Sequence, residues 1–328
     1  MTGLRYFIET TLHPERFHGH NKNPPFFEGW YFKLINAPEN QRYAIIPGVF
    51  IGEDSHAFIQ ILNGNLAQST YHRFDIGQFW ASRNSFHIRI ANNEFTSQAI
   101  QLNLDDPLGR VQGSVSFETL SPWPVSVLSP GIMGWYAWVP RMECYHGVLS
   151  MDHGLRGNLE INDQVINFEG GRGYIEKDWG KSFPKGYVWF QSNHFDTPET
   201  SLTASVAVIP WLGSSFRGFI IGFWYQNQLY RFATYLGSFI ESLEISDTKV
   251  HWLVKDRHYS LEMTATRKEG GLLHEPTGRE MLRRVEETML ANVEVIFSQH
   301  DGKTLFNQVG RNLAMEVQGD IPLLLSYK

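Results

Sequence analysis

Cysteine is nearly absent. Cys144 is the only one in 328 residues, so no internal disulfide can form and the chain suits a reducing compartment. Basic clusters are missing as well. Lys and Arg total 28 against 34 acidic residues, the net charge is −6, and no basic run exceeds a pair. That argues against a nucleic-acid partner and against electrostatic attachment to anionic lipid. Long apolar runs are missing: stretches such as Gly218–Tyr225 fall far short of the ~20 residues of a membrane helix. The opening residues lack a basic segment followed by an apolar stretch and a small-residue cleavage site. The expectation is a soluble, cytoplasmic protein with no transmembrane segment. Helical periodicity is also lacking, and only Gly278–Leu290 reads as a candidate helix.

Aromatic residues are abundant, with 23 Phe, 13 Tyr and 10 Trp, enough for a large ordered core. They fall in short runs rich in β-branched residues, separated by Gly, Asn, Asp and Pro clusters. Hairpin signals stand at Ile161–Val165, Gln226–Gln228, Asp256–His258 and Asp301-Gly302. Residues 119–141 interrupt the rhythm with prolines and tryptophans and read as a lid or a packed plug, here as a segment closing a barrel mouth. The pattern predicts an all-β protein of two consecutive antiparallel domains, 1–184 and 185–328, each a barrel or a sandwich.

Two segments break their own pattern. In GYIEKDWG (173–180) a strand puts Tyr174, Glu176 and Asp178 on one face and Ile175, Lys177 and Trp179 on the other, so either face carries charge inward. In FFEGWYFK (26–33), Glu28 shares a face with Phe26, Trp30 and Phe32. A carboxyl in such a wall is desolvated and suited to hold a proton as a general acid, unless it is paired, with Lys177 the nearest candidate. Glu176 and Asp178, two apart on one face, resist ionising together. Tyr145, His146, Asp152, His153 and His194 are candidate pocket-lining groups.

Other patterns carry less chemistry. Gly170–Gly173 precedes a strand rather than a helix and cannot cradle phosphate through helix-terminal amides. Cys144-Tyr145-His146 can be read as a Cys/His nucleophile pair, but covalent catalysis is not expected there. His13, His18 and His20 lie in an irregular lead-in that lacks further metal ligands, so no metal is expected.

FFEGWYFK (26–33), GYIEKDWGKSFP (173–184) and WFQSNHF (189–195) together resemble the tocopherol cyclase family, with weaker likenesses at SPGIMGW (129–135), NFEGG (167–171) and HEPTG (274–278). The resemblance implies two lipocalin-like β-barrels and a redox-neutral, acid-initiated cyclisation of a prenylated quinol or related isoprenoid lipid, with no cofactor. Hydration of an isoprenoid, or non-catalytic binding of an apolar ligand, are the alternatives. Glu28, Glu176 and Asp178 are then the candidate acids. Trp30, Tyr145, His146, Lys177, Trp179, Trp189, Gln191, Asn193 and His194 are the candidate ligand contacts. Partners reduce to a hydrophobic small molecule, collected by transient contact with a membrane surface.

Overall fold

The computed structural model describes residues 3–20 and 22–327. Strands make up 61% of the chain and helices 9%, which places it in the all-β class. It divides into two compact units. The first holds residues up to Phe183 together with Leu273–Arg284; the second holds Pro184–Leu272 and the chain from Val285 onward.

The first unit contains helix α1 (Gly3–Thr11) and strands β1 (Phe26–Ile35), β2 (Arg42–Ile51), β3 (His56–Asn63), β4 (Gln68–Asp75), β5 (Phe79–Ala81) and β6 (His87–Ile90). It continues with β7 (Asn93–Thr96), β8 (Ala99–Asp106), β9 (Gly109–Phe117), β10 (Cys144–Ile161), β11 (Gln164–Asn167) and β12 (Gly171–Gly180). The sheet order is β4-β3-β2-β1-β12-β10-β9-β8-β7-β6-β5, with β11 beside β10. From the second unit come β13 (Gly186–Ser192), β14 (Ser201–Trp211), β15 (Ser214–Tyr225), β16 (Gln228–Ala233), β17 (Phe239–Ile245), β18 (Lys249–Lys255) and β19 (Tyr259–Thr266). Then follow β20 (Gly271–Glu275), which passes into the first unit at Leu273, β21 (Arg283–Gln299), which returns to the second unit at Val285, β22 (Thr304–Gly319) and helix α2 (Ile321–Ser326). The second sheet runs β16-β15-β14-β13-β22-β21-β19-β18-β17.

The expected barrels are rolled but open sheets. In each unit four strands step outward from the centre, and a single 3-10 turn then carries the chain to the opposite edge. That turn is Ile76–Gln78 between β4 and β5 in the first unit, and Thr234–Leu236 between β16 and β17 in the second. Closure would need a ladder between those edge strands, and the chain supplies a turn instead; β5 offers only three residues for pairing. A side-chain clasp spans the first unit's gap, His72 Nδ1 on β4 lying 2.7 Å from Asp106 Oδ2 on β8. Inside the roll, residues from β1, β3, β6, β8, β10 and β12 share one apolar cluster.

The hairpins form where the sequence marked them. Asn162 and Asp163, and Gln226 and Asn227, adopt positive φ, the geometry a two-residue turn requires. Residues 278–290 are not helical. Val285, Glu287, Met289, Ala291, Val293, Val295 and Phe297 are buried at a two-residue spacing, and that alternation makes them part of β21. The sequence pattern marks neither α-helix: α1 is only nine residues long, and α2 is set by Asp320, whose side chain accepts from the Leu323 amide at 2.9 Å.

The HEPTG segment belongs to the first unit. Gln60 on β3 grips it from both sides, donating to His274 O at 2.9 Å and accepting from His274 N at 2.7 Å. Met281 joins Phe27, Phe50 and Phe58 on the sheet face away from the main core.

Candidate functional site

Strands β1 and β12 are antiparallel neighbours, with Glu28 opposite Trp179 and Trp30 opposite Lys177. The two pattern-breaking segments therefore lie side by side, and β12 bears a charged group on each face.

On the inner face Glu28 and Lys177 are fully buried and form an ion pair. Lys177 Nζ also donates to Arg16 O at 2.7 Å and lies 3.2 Å from His18 Nδ1. Its three protons thus meet three acceptors, and its charge sits over the Trp30 and Trp179 rings at 4.7 and 4.9 Å. Glu28 takes a further bond from the His18 amide at 2.8 Å. Burial pushes the Glu28 carboxyl up, but Lys177 and His18 outweigh it and hold it below its ordinary value. Burial pulls the Lys177 ammonium down, against the pull of Glu28. The paired alternative is therefore the one realised: Glu28 is a carboxylate that holds a cation, which removes it as a proton donor.

His18 was read as part of an irregular lead-in. It is buried, stacks on Trp179 at 4.0 Å, and lies with Nε2 3.1 Å from Thr10 O. Nε2–H donates to that carbonyl, while Nδ1 lies 3.2 Å from both Lys177 Nζ and Glu28 Oε1 and, in this tautomer, accepts from Lys177. No local signal marks this histidine: Thr10 and Glu28 are near in the chain, but Lys177 lies 159 residues away. Burial first, and Lys177 second, pull its pKa down to about 4. The folded state therefore keeps His18 neutral while the unfolded chain protonates it near 6.5. Stability is expected to fall as pH drops from about 6.5 to 4, by roughly 3 kcal/mol. Hydrogen exchange of β1 and β12 amides across that range checks this, and a flat profile refutes it.

On the outer face of β12, His146 of β10 stands opposite Asp178. Its Nδ1–H donates to Asp178 Oδ1 at 2.9 Å, while Nε2 is 3.6 Å from Glu176 Oε2, beyond hydrogen-bond length. Glu176 Oε2 in turn accepts from the Tyr174 hydroxyl at 2.5 Å. Burial alone lowers the imidazole pKa, but Asp178 and Glu176 together raise it to about 9. The proton that the two carboxylates were expected to share rests on His146. Its Nε2 is buried, with no hydrogen-bond partner among the described residues. Ligand atoms of these three residues lie within 4.8 Å of one another, as a metal site would need. A cation there must displace that proton, and Asp178 already engages Nδ1.

His146 lines a cavity of about 290 Å3, bounded by Tyr6 and Phe7 of α1, Met133 and Ala137 of the 3-10 segment Gly131–Trp138, and Tyr145, Trp179 and His18. The 119–141 segment thus lies over the cavity. Tyr145 and Trp179 stack at 5.4 Å. Among the described residues that line it there is no carboxylate, and Lys22 and His146 give the cavity a positive character.

Other candidates fall elsewhere. Trp30 is core, stacked on Phe86 at 5.9 Å. Asp152 pairs with Arg172, and His153 is buried against Phe117 with Nδ1 3.0 Å from Ser150 Oγ. Burial pushes the Cys144 thiol well above its ordinary range. Trp189, Gln191, Asn193 and His194 belong to the second unit. There Val188 and Phe190 take the core, Trp189 and Gln191 take the opposite strand face, and His194 bridges Arg311.

The class of protein is an open antiparallel β-sheet with a small cavity, into whose wall His146 projects backed by Asp178 and Glu176. Residues 24–319 match the tocopherol cyclase-like family, and the chain belongs to it. It is 26% identical over 313 residues to "Probable tocopherol cyclase, chloroplastic" of Oryza sativa subsp. japonica, covering 77% of this chain and 65% of the rice protein. To "Tocopherol cyclase, chloroplastic" of Zea mays it is 34% identical over 110 residues, 32% of this chain and 23% of the maize protein. The chain thus spans less than two thirds of either relative. Among solved structures, CghA with Sch210972 has a TM-score of 0.56 at 11% identity, covering 90% of this chain and 89% of that one. An AttH-type protein of Nitrosomonas europaea has a TM-score of 0.53 at 12% identity, covering 89% and 92%. Both are similar in fold.

Proposed function

We propose that this protein is a proton-initiated cyclase acting on a prenylated quinol or a related isoprenoid lipid. The observation that carries this is the position of the His146 Nε2–H, buried on a cavity wall with no hydrogen-bond partner among the described residues, beside two carboxylates that raise its pKa to about 9. His146 delivers that proton to the less substituted carbon of the prenyl double bond, and a tertiary carbocation forms. The phenolic oxygen closes the ring and its proton returns to the imidazole, so atoms and electrons balance without a redox partner.

The carboxylates act in two opposing ways. They raise the imidazole pKa, which weakens it as an acid. Once the proton has left, Asp178 and Glu176 remain beside a neutral imidazole and attract the carbocation in a dry, low-dielectric setting. Tyr145 and Trp179 present aromatic surface to the same cavity. Apolar walls exclude the water that would otherwise trap the cation.

Turnover in D2O tests the reading. Cyclisation leaves the product one deuteron heavier than the substrate with no added oxygen, whereas hydration adds a water. Tight binding of prenylated quinols with no transformation under any condition would make the protein a carrier instead.

A further inference from the structure

Residues 126–129, Ser-Val-Leu-Ser, form a tight turn closed by reciprocal backbone bonds between Ser126 and Ser129, at 3.1 and 3.2 Å. Turn tips favour Gly, Asn, Asp and Pro, yet this one holds out Val127 and Leu128, 66% and 86% exposed. The tip is fixed to the cavity's cover: Trp138 Nε1–H donates to Val127 O at 2.7 Å, and Trp138 packs on Phe7 of α1. On α1, Tyr6, Phe7, Thr10 and Thr11 line the cavity while Leu4 and Ile8, one helical turn apart, face solvent, Leu4 at 71% exposure. Trp135, between the lining residues Met133 and Ala137, is also exposed. Exposed apolar groups therefore interleave with lining groups along both elements over the cavity.

Charge selects the occupant. Residues 119–140 contain no charged side chain, in a chain that is 19% charged. The charged residues of α1, Arg5 and Glu9, pair with each other at 2.9 Å. A neutral apolar collar on a chain of net charge −6 matches an uncharged lipid surface and opposes an anionic one. Size points the same way. At about 290 Å3 the cavity is roughly twice the ~150 Å3 that holds a single benzene ring, room for a substituted ring and the start of a chain.

We propose that the collar formed by Leu4, Ile8, Val127, Leu128 and Trp135 docks on a zwitterionic lipid surface. A ring headgroup enters the cavity there while its tail stays in the lipid. Docking rests on the collar alone; only the identity of the cargo rests on the cyclase reading.

The test is sedimentation of the full chain with phosphatidylcholine vesicles. Wild type is expected to bind, and the Val127→Asp/Leu128→Asp variant to bind at least tenfold more weakly. Leu212→Asp, at a 92% exposed leucine of the second unit, is expected to bind as wild type. Phosphatidylserine mixed in equal parts is expected to weaken binding. Turnover of a long-tailed quinol held in vesicles should drop at least tenfold in the collar variant, while a short-prenyl quinol in solution is turned over as by wild type. A wild type that ignores vesicles overturns the proposal, as does a collar variant that still binds them. So does a collar whose mutation abolishes self-association in solution without affecting lipid binding. Collar-dependent vesicle binding without transformation of any quinol supports docking and overturns the catalytic reading alone.

Discussion

His146→Gln is expected to lower turnover of a prenylated quinol by roughly 10²–10⁴-fold while the quinol's Kd changes little. Glutamine fills similar space and keeps a hydrogen-bonding amide but carries no transferable proton. The imidazole is charged below about 9, so kcat/KM in the wild type should hold through neutral pH and fall as pH rises through about 9. Asp178→Asn removes the carboxylate on Nδ1, the larger of the two that raise this pKa. The alkaline limb should then move to lower pH, a shift that a merely structural role for Asp178 would not produce. A stopped assay across pH 6 to 10 reads both effects. If His146→Gln retains wild-type turnover, the proton comes from another group; if Asp178→Asn leaves the limb in place, the Asp178–His146 bond does not set it.

The sequence carried the parts of this site that depend on strand alternation. Two segments with charges on faces that should be apolar pointed to β1 and β12, and those strands are hydrogen-bonded neighbours. Glu176, Asp178 and His146 were each legible as candidates, but which of them holds the proton was not. That depends on a 2.9 Å contact across the ladder between residues 32 apart. Strand existence and hairpin positions were local matters, set by turn residues at Asn162-Asp163 and Gln226-Asn227. Closure was not local. Whether an edge strand meets its opposite edge depends on the twist accumulated across the whole sheet, and here a three-residue turn takes the place of a ladder. His18 and the segment 273–284 escaped for the same reason, since each is fixed by partners that only the fold brings near.

The buried Lys177 tripod gives the largest expected effect on stability. Lys177→Met retains the aliphatic stem but leaves the Glu28 carboxylate buried without its cation, and frees Arg16 O and His18 Nδ1. Removing one member of a buried pair costs about 3–5 kcal/mol, because the abandoned charge stays in a medium that cannot solvate it. The cost should appear as faster hydrogen exchange in β1, β12 and residues 10–18. Arg16 and His18 are tied to the sheet through this ammonium, and Thr10 and His18 line the cavity, so quinol affinity should fall along with stability. Glu28→Gln alone strands the opposite charge and should destabilise by a similar amount. The double variant Glu28→Met/Lys177→Met removes both charges and fills similar volume, so it should recover much of the loss, the coupling between the sites exceeding ~1 kcal/mol. Stability near wild type in the double variant, with quinol binding still impaired, would separate the two duties of Lys177: satisfying Glu28, which hydrophobic packing can replace, and anchoring residues 16–18, which it cannot. Single variants as stable as wild type would show instead that Glu28 and Lys177 do not form a buried ion pair in solution.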